Sequence, residues 1–231
     1  MIRDPNFFDK NSTMVAFDNT PIYIADADRV PAMAMCVTPW PKLVLLLRNP
    51  VQRTISHYEF LNDARVRKNK TIADWRLWVD DDFRLLREAG VIANRTKKEA
   101  KEFAGSREEA EAWKKYNRSP GSTYLLGRSL YSIQLRLWLA EMKKNQKPFS
   151  DLFVVQSEKI RNNTQLEFNR IMSFLGLEEY DLLSSEPKHE TKKSGVQIPD
   201  DVRQQLEEFF APYNEELYDL LGPEWKNAWQ Y

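Results

Sequence analysis

An α/β fold organised around a central parallel sheet is predicted by three features of this sequence. Two short apolar runs, residues 43–47 and 152–155, read as strands buried on both faces, as a parallel sheet covered by helices requires. Segments with helical apolar spacing lie between and after them. Turn signals bound these segments, and strands alternating with helices argue for parallel pairing. The chain of 231 residues reads as one domain, 1–231. Its 42% hydrophobic and 12% aromatic content suffices for a sizeable core, and no repeat or low-complexity linker divides it.

The elements follow in order. Pro41-Lys42 leads into Leu43-Val44-Leu45-Leu46-Leu47, and Arg48 ends the run. Asn49 can cap a helix, Pro50 suits its first position and Gln52 sits where a capping-box partner would. Val51, Ile55 and Tyr58 then keep helical spacing, so this is strand, tight turn, helix. Residues 63–120 read as a charged helical insertion. Within it Trp75, Trp78, Val79, Phe83 and Leu86 form one stripe, and residues 95–116 form a Lys-, Glu- and Ala-rich helix. Residues 119–122, Ser-Pro-Gly-Ser, are a break. A strongly apolar helix follows around Leu130 to Leu139, then the second strand after Pro148. A helix from Leu166 to Leu175 is stopped by Gly176. Val202, Leu206, Phe209 and Phe210 mark another helix, and Leu217, Leu220 and Leu221 a last one, closed by Gly222-Pro223.

Net charge is zero, but residues 64–150 hold 20 Lys+Arg against 11 Asp+Glu. That local excess favours an anionic partner or simply solvates charged helices. With one cysteine, Cys36, no internal disulfide forms. No apolar run approaches the roughly 20 residues of a membrane span, and the first residues are no signal peptide. Glycosylation triplets at Asn11, Asn69, Asn94, Asn117 and Asn162 point to the secretory pathway, although Pro120 weakens the third residue's context at Asn117. Two His and one Cys make no metal cluster.

The segment Arg48-Asn49-Pro50-Val51-Gln52-Arg53-Thr54-Ile55-Ser56-His57-Tyr58 carries the chemistry. Arg48 leaves the carboxyl end of a strand, where the ligand crevice of an open α/β sheet lies. Ser56 stands about two turns along the next helix, on the face of Asn49, Gln52 and Arg53. A guanidinium and a hydroxyl beside a helix N-terminus make an anion site. An arginine capping the sheet edge and a serine facing solvent would give the same residues. His57 reads as a helix-surface residue.

The pattern R-N-P-x-x-R-x-x-S-x-Y after an apolar strand resembles the 3'-phosphate-binding motif of sulfotransferases that use 3'-phosphoadenosine-5'-phosphosulfate (PAPS), in particular the heparan-sulfate N- and O-sulfotransferases. The resemblance covers residues 14–62 and 124–225. It implies a three-layer fold like that of P-loop nucleotide kinases, with Arg48 and Ser56 on the nucleotide's 3'-phosphate. Arg53 and Tyr58 match the motif, with a ligand or a structural role. Asp18, in Phe17-Asp18-Asn19-Thr20-Pro21-Ile22-Tyr23, matches the family's Glu, the base that deprotonates the acceptor. It is one methylene shorter, and Asn19 replaces the family's Lys. Gly127-Arg128-Ser129-Leu130-Tyr131 with Trp138-Leu139 is similar to the family's G-x-Y…W-L helix. Lys193, in Lys192-Lys193-Ser194-Gly195, falls where the family has a basic loop near the nucleotide, or is a solvated lysine.

The resemblance thus implies a PAPS cosubstrate, no metal, and an anionic or neutral glycan acceptor, glycosaminoglycan-like in the type resembled. It implies no nucleic acid, and a Golgi setting reached through a membrane anchor this chain does not contain. The family's opening strand and Lys-x-Gly-Thr/Ser loop, which cradles the 5'-phosphosulfate, has no counterpart in the 17 Gly-free residues before Asp18. The chain is therefore expected to be N-terminally incomplete or an inactive paralogue, with little transfer activity by itself. Two rivals stand beside the enzyme reading. One is a catalytically inactive binder of nucleotide or polyanion; the other, a kinase, is opposed by the absence of a Walker-type Gly-Lys-Ser/Thr.

Overall fold

The computed structural model describes residues 16–37, 41–182 and 196–229. A turn-rich stretch leads into α1 (Val30–Val37), then β1 (Leu43–Leu47) and α2 (Pro50–Val66). Helices α3 (Trp75–Ala89), α4 (Lys97–Phe103), α5 (Arg107–Asn117) and α6 (Tyr131–Lys144) follow. Next come β2 (Leu152–Gln156), α7 (Ser157–Asn162), α8 (Thr164–Leu175) and α9 (Asp200–Leu221). The two strands pair in parallel, with Leu43 opposite Leu152 and Leu47 opposite Gln156. Among the described residues the sheet therefore has two strands, fewer than a three-layer fold with a broad central sheet would show.

The strand-turn-helix unit forms as its sequence dictates. Asn49 caps α2, its side-chain oxygen accepting from the Gln52 N–H, and Pro50 opens the helix where its missing N–H costs nothing. Burial of β1 differs from the expectation. Leu47 is fully buried, and Leu43 and Leu45 pack inward, but Val44 and Leu46 are 38% and 54% exposed. Successive side chains of a strand point to opposite faces, and the described residues cover only one.

Two other boundaries also differ. The Lys/Glu/Ala-rich stretch is two helices, because Gly105 adopts φ 77° and Ser106 starts α5 by accepting from the Glu109 N–H. Conversely, the last two predicted helices are one. Pro212 lies inside α9, where it removes one backbone hydrogen bond. A buried stripe of Val202, Leu206, Phe210, Asn214, Leu217 and Tyr218 runs past it and holds both halves against the core.

The 63–120 region shares that core. Trp75, Val79, Phe83, Leu86, Trp113 and Tyr116 cluster with Tyr58, Leu130 and Phe210, and Tyr58 stacks on Trp75 with ring centroids 3.6 Å apart. A buried ion network ties α5, α6 and α9 together. Arg136 grips Glu109 through two hydrogen bonds (2.5 and 2.9 Å) and reaches Glu216 at 3.0 Å. Glu109 also accepts from the Gly105 N–H, so the buried charges are paired and hydrogen-bonded as burial requires. None of the helices among the described residues is long and apolar enough to cross a membrane. Of the glycosylation triplets, Asn69, Asn94 and Asn162 are exposed. Asn117 spends its amide on Asp26 and Asp28, each at 3.0 Å, and Asn11 lies outside the described residues.

Candidate functional site

Three segments that are distant in sequence meet at the carboxyl end of β1: the Thr20–Ala25 turns, the start of α2 and residues 124–131. Arg48, half-buried, follows the strand directly. Its backbone is hydrogen-bonded to the Tyr131 hydroxyl, and the next N–H, that of Asn49, donates to Glu158 Oε1 at 2.8 Å. The Trp229 ring N–H reaches the other oxygen of Glu158 at 3.4 Å. Backbone and helix end are thus fixed, while the Arg48 guanidinium has no hydrogen bond or ion pair among the described residues. Burial lowers its pKa, Arg161 of α7 repels it and Glu158 partly offsets this. Arg161 is a second cation at this strand end that the sequence reading missed. The Ser56 hydroxyl, half-buried on the same face of α2, has no partner among the described residues either.

Arg53 lies between these two on α2 and is held from across the site. Its Nη1 donates to Leu125 O at 2.9 Å and to Ser129 Oγ at 3.2 Å. Thr54 and Ser129 both hydrogen-bond to Pro50 O, which locks the first turn of α2 to the 125–129 segment. His57 is not a surface residue as expected. It is half-buried against that same segment, with Nε2 3.0 Å from Thr123 O, and burial pushes its pKa down to about 4. It is neutral at physiological pH.

The 122–129 segment is organised by Asp82 of α3, which is buried within the region that read as an insertion. The Tyr116 hydroxyl (2.9 and 3.0 Å), Ser122 Oγ (3.2 Å) and the N–H groups of Leu126 (2.6 Å) and Gly127 (3.3 Å) all donate to its carboxylate. Gly127 approaches the Tyr116 ring so closely that a Cβ there would fall 2.1–2.4 Å from its atoms, so no larger residue fits without a shift.

Asp18 is exposed. Its two oxygens accept from Thr20 Oγ1 (2.7 Å) and Tyr23 Oη (2.6 Å), hydrogen bonds that lower its pKa, Tyr23 contributing most. Through Thr20 it borders the cavity shared by the three segments. The structure thus brings the stretch bearing Asp18 to the site of Arg53 and Tyr131. Lys193 lies outside the described residues. The basic residues around α2 are partly committed to local structure. Arg65 donates to Thr71 O and lies over Trp78, and Arg67 pairs with Asp63. Lys68, Lys70, Lys97 and Lys98 are exposed, Lys98 within 3.8 Å of Glu102.

No protein-family model matches the sequence, and no curated protein matches it. A solved sulfotransferase from Alicyclobacillus acidocaldarius is similar in structure, with TM-score 0.57 and 18% identity over 89% of this chain. The chain spans 65% of the length of that protein. At that identity the likeness concerns the fold alone: the described residues adopt a sulfotransferase-like α/β fold.

Proposed function

We propose that the protein is a sulfotransferase that takes its sulfuryl group from PAPS and delivers it to a carbohydrate acceptor, glycosaminoglycan-like in the first instance. One observation carries the reading: the Arg48 guanidinium at the strand end and the Ser56 hydroxyl two turns along α2 have no hydrogen-bond partner among the described residues, in a fold of this kind. They suit a phosphate monoester, since one supplies a positive charge and the other a hydroxyl donor, and the dipole of α2 adds to the charge. When bound, PAPS would supply an activated sulfuryl group, with its 5'-phosphate as the leaving group. The chain's residues then have two tasks. Arg48 and Ser56 hold the 3'-phosphate and fix the register of the nucleotide. Asp18 takes the proton of the acceptor hydroxyl or amine as the new bond to sulfur forms. Lys193 is proposed to add charge near the nucleotide, and a Golgi setting follows from the same reading.

Asp18 gives this reading a pH signature. A base must be ionised to act, and hydrogen bonds from Tyr23 and Thr20 hold Asp18 below its ordinary value of 3.8. Protonation would therefore remove its contribution only as pH falls below that value. Between about pH 5 and 8 the transfer rate should show no acid limb due to Asp18. A pH–rate profile with labelled PAPS and a glycan panel checks this. An acid limb in that window, retained in Asp18→Asn, would assign the base to another group.

The second reading is a nucleotide- or polyanion-binding protein without chemistry, favoured by a carboxylate whose two oxygens are already engaged. Bisphosphate binding without turnover in the same assay would select it. The basic excess of residues 64–150 bears on the acceptor. Changing Lys68 and Lys70, both exposed, to serine should lower the salt concentration at which the protein leaves a heparin column. Elution at the parent's salt concentration would turn the search towards neutral acceptors.

A further inference from the structure

A cavity of about 410 Å³ opens beside β1, lined by Thr20, Ile22, Leu46, Arg53, Arg128 and Tyr131 among others. Its lining holds two guanidinium groups and no carboxylate. Arg53 uses Nη1 on neutral oxygens, those of Leu125 and Ser129. Its remaining N–H groups have no hydrogen-bond partner among the described residues. Arg128 makes no hydrogen bond or ion pair among them, and its guanidinium lies over the Tyr124 ring, 5.8 Å from the centroid. The carboxylates that act on this pair from farther off, Asp82 and Asp26, are engaged by Tyr116, Leu126 and Asn117.

Two cations brought together without a counter-charge cost free energy, and more so where burial strips their water. Burial and the proximity of Arg128 lower the Arg53 pKa to about 10, which still leaves it charged at neutral pH. An anion between the two would offset that cost. The apolar side chains of Pro21, Ile22, Ile24 and Leu46 on the cavity wall lower the local polarity and strengthen such a contact. A tetrahedral oxyanion alone would leave most of the volume empty, since one water occupies only about 30 Å³ of liquid. The cavity therefore suits an esterified phosphate or sulfate with part of the molecule that carries it.

We propose that Arg53 and Arg128 form a second oxyanion subsite, separate from Arg48 and Ser56, which takes the 5'-phosphosulfate end of the nucleotide. The proposal rests on the nucleotide reading above and adds what that reading lacks, residues of this chain for the reacting end.

The test compares two ligands on the full chain by calorimetry: adenosine 3',5'-bisphosphate and adenosine 3'-monophosphate. Arg128→Gln should weaken the bisphosphate about tenfold and leave the monophosphate unchanged, whereas Arg48→Ala should weaken both. Arg128→Lys, which keeps the charge, should recover part of the loss. Arg128 is the better target because Arg53 also holds the 125–129 segment, and an unchanged melting temperature shows that the variant folds. Equal affinity of parent and Arg128→Gln for the bisphosphate overturns the subsite, as does an equal loss for both ligands. If Arg48→Ala also changes nothing, the nucleotide reading fails with it. If only Arg128→Gln is silent, the subsite alone falls.

Discussion

Replacing Arg48 and Ser56 together by alanine is expected to weaken adenosine 3',5'-bisphosphate binding by roughly 10²-fold or more, and Arg48→Ala alone at least tenfold. Each charge-assisted hydrogen bond contributes about 1.5–3 kcal/mol, and every 1.4 kcal/mol is about a factor of ten. The loss should appear in affinity and not in folding. The Arg48 guanidinium makes no hydrogen bond or ion pair among the described residues, and its neighbour Arg161 repels it while Glu158 partly offsets that repulsion. Removing one of two like charges leaves the backbone contacts of Arg48 to Tyr131 and of Asn49 to Glu158 in place. Calorimetry for affinity and thermal melting for stability separate the two outcomes. A folded double variant that binds the bisphosphate like the parent would place the nucleotide elsewhere, or nowhere.

The local parts of this site were legible in the sequence because local chemistry dictates them. Asn49-Pro50 after an apolar run can hardly do other than end a strand and start a helix, and Ser56 then falls on the Asn49 face by helical geometry alone. Long-range parts were not legible. An apolar run such as 43–47 reads the same whether one face or two are covered. Pro212 signals a break, yet the stripe from Val202 to Tyr218 packs on both sides of it and overrides the local cost. Gly105 was hidden in a helix-forming stretch, although its left-handed backbone splits it. Arg128 was a variable position inside a motif. Its neighbour Ser129 meets Arg53 only because the chain returns 76 positions later. A basic residue one step from a recognised glycine was the signal available. Asp82 read as one charge among many on a helix, and nothing local announces that Leu126, 44 positions away, donates to it.

Asp82→Ala is expected to lower stability by about 3 kcal/mol, a fall in melting temperature of roughly 6–12 °C for a chain of this size. The change strands the buried Tyr116 hydroxyl and the Leu126 N–H, each costing about 1–3 kcal/mol when unsatisfied. The gain from no longer burying a carboxylate offsets part of this. Asp82→Asn keeps one acceptor oxygen and should lose about half as much. The two variants also differ from the parent in pH response. Burial raises the Asp82 carboxyl above its ordinary 3.8, against the hydrogen bonds that lower it. The folded state then holds the proton more tightly than the unfolded chain, so this group's contribution to stability falls as pH rises from 3.8 through the folded value, and is level above it. Asparagine does not titrate, so the deficit of Asp82→Asn relative to the parent should narrow as pH rises through that window. Melting curves of parent and variant across pH 4–8 give this difference directly. An Asp82→Ala protein that melts with the parent would mean that the 122–129 segment is held by other contacts. If the segment does depend on Asp82, loosening it withdraws Leu125 O and Ser129 Oγ from Arg53 and displaces Arg128. Asp82→Ala should then also weaken the bisphosphate, although Asp82 does not line the cavity.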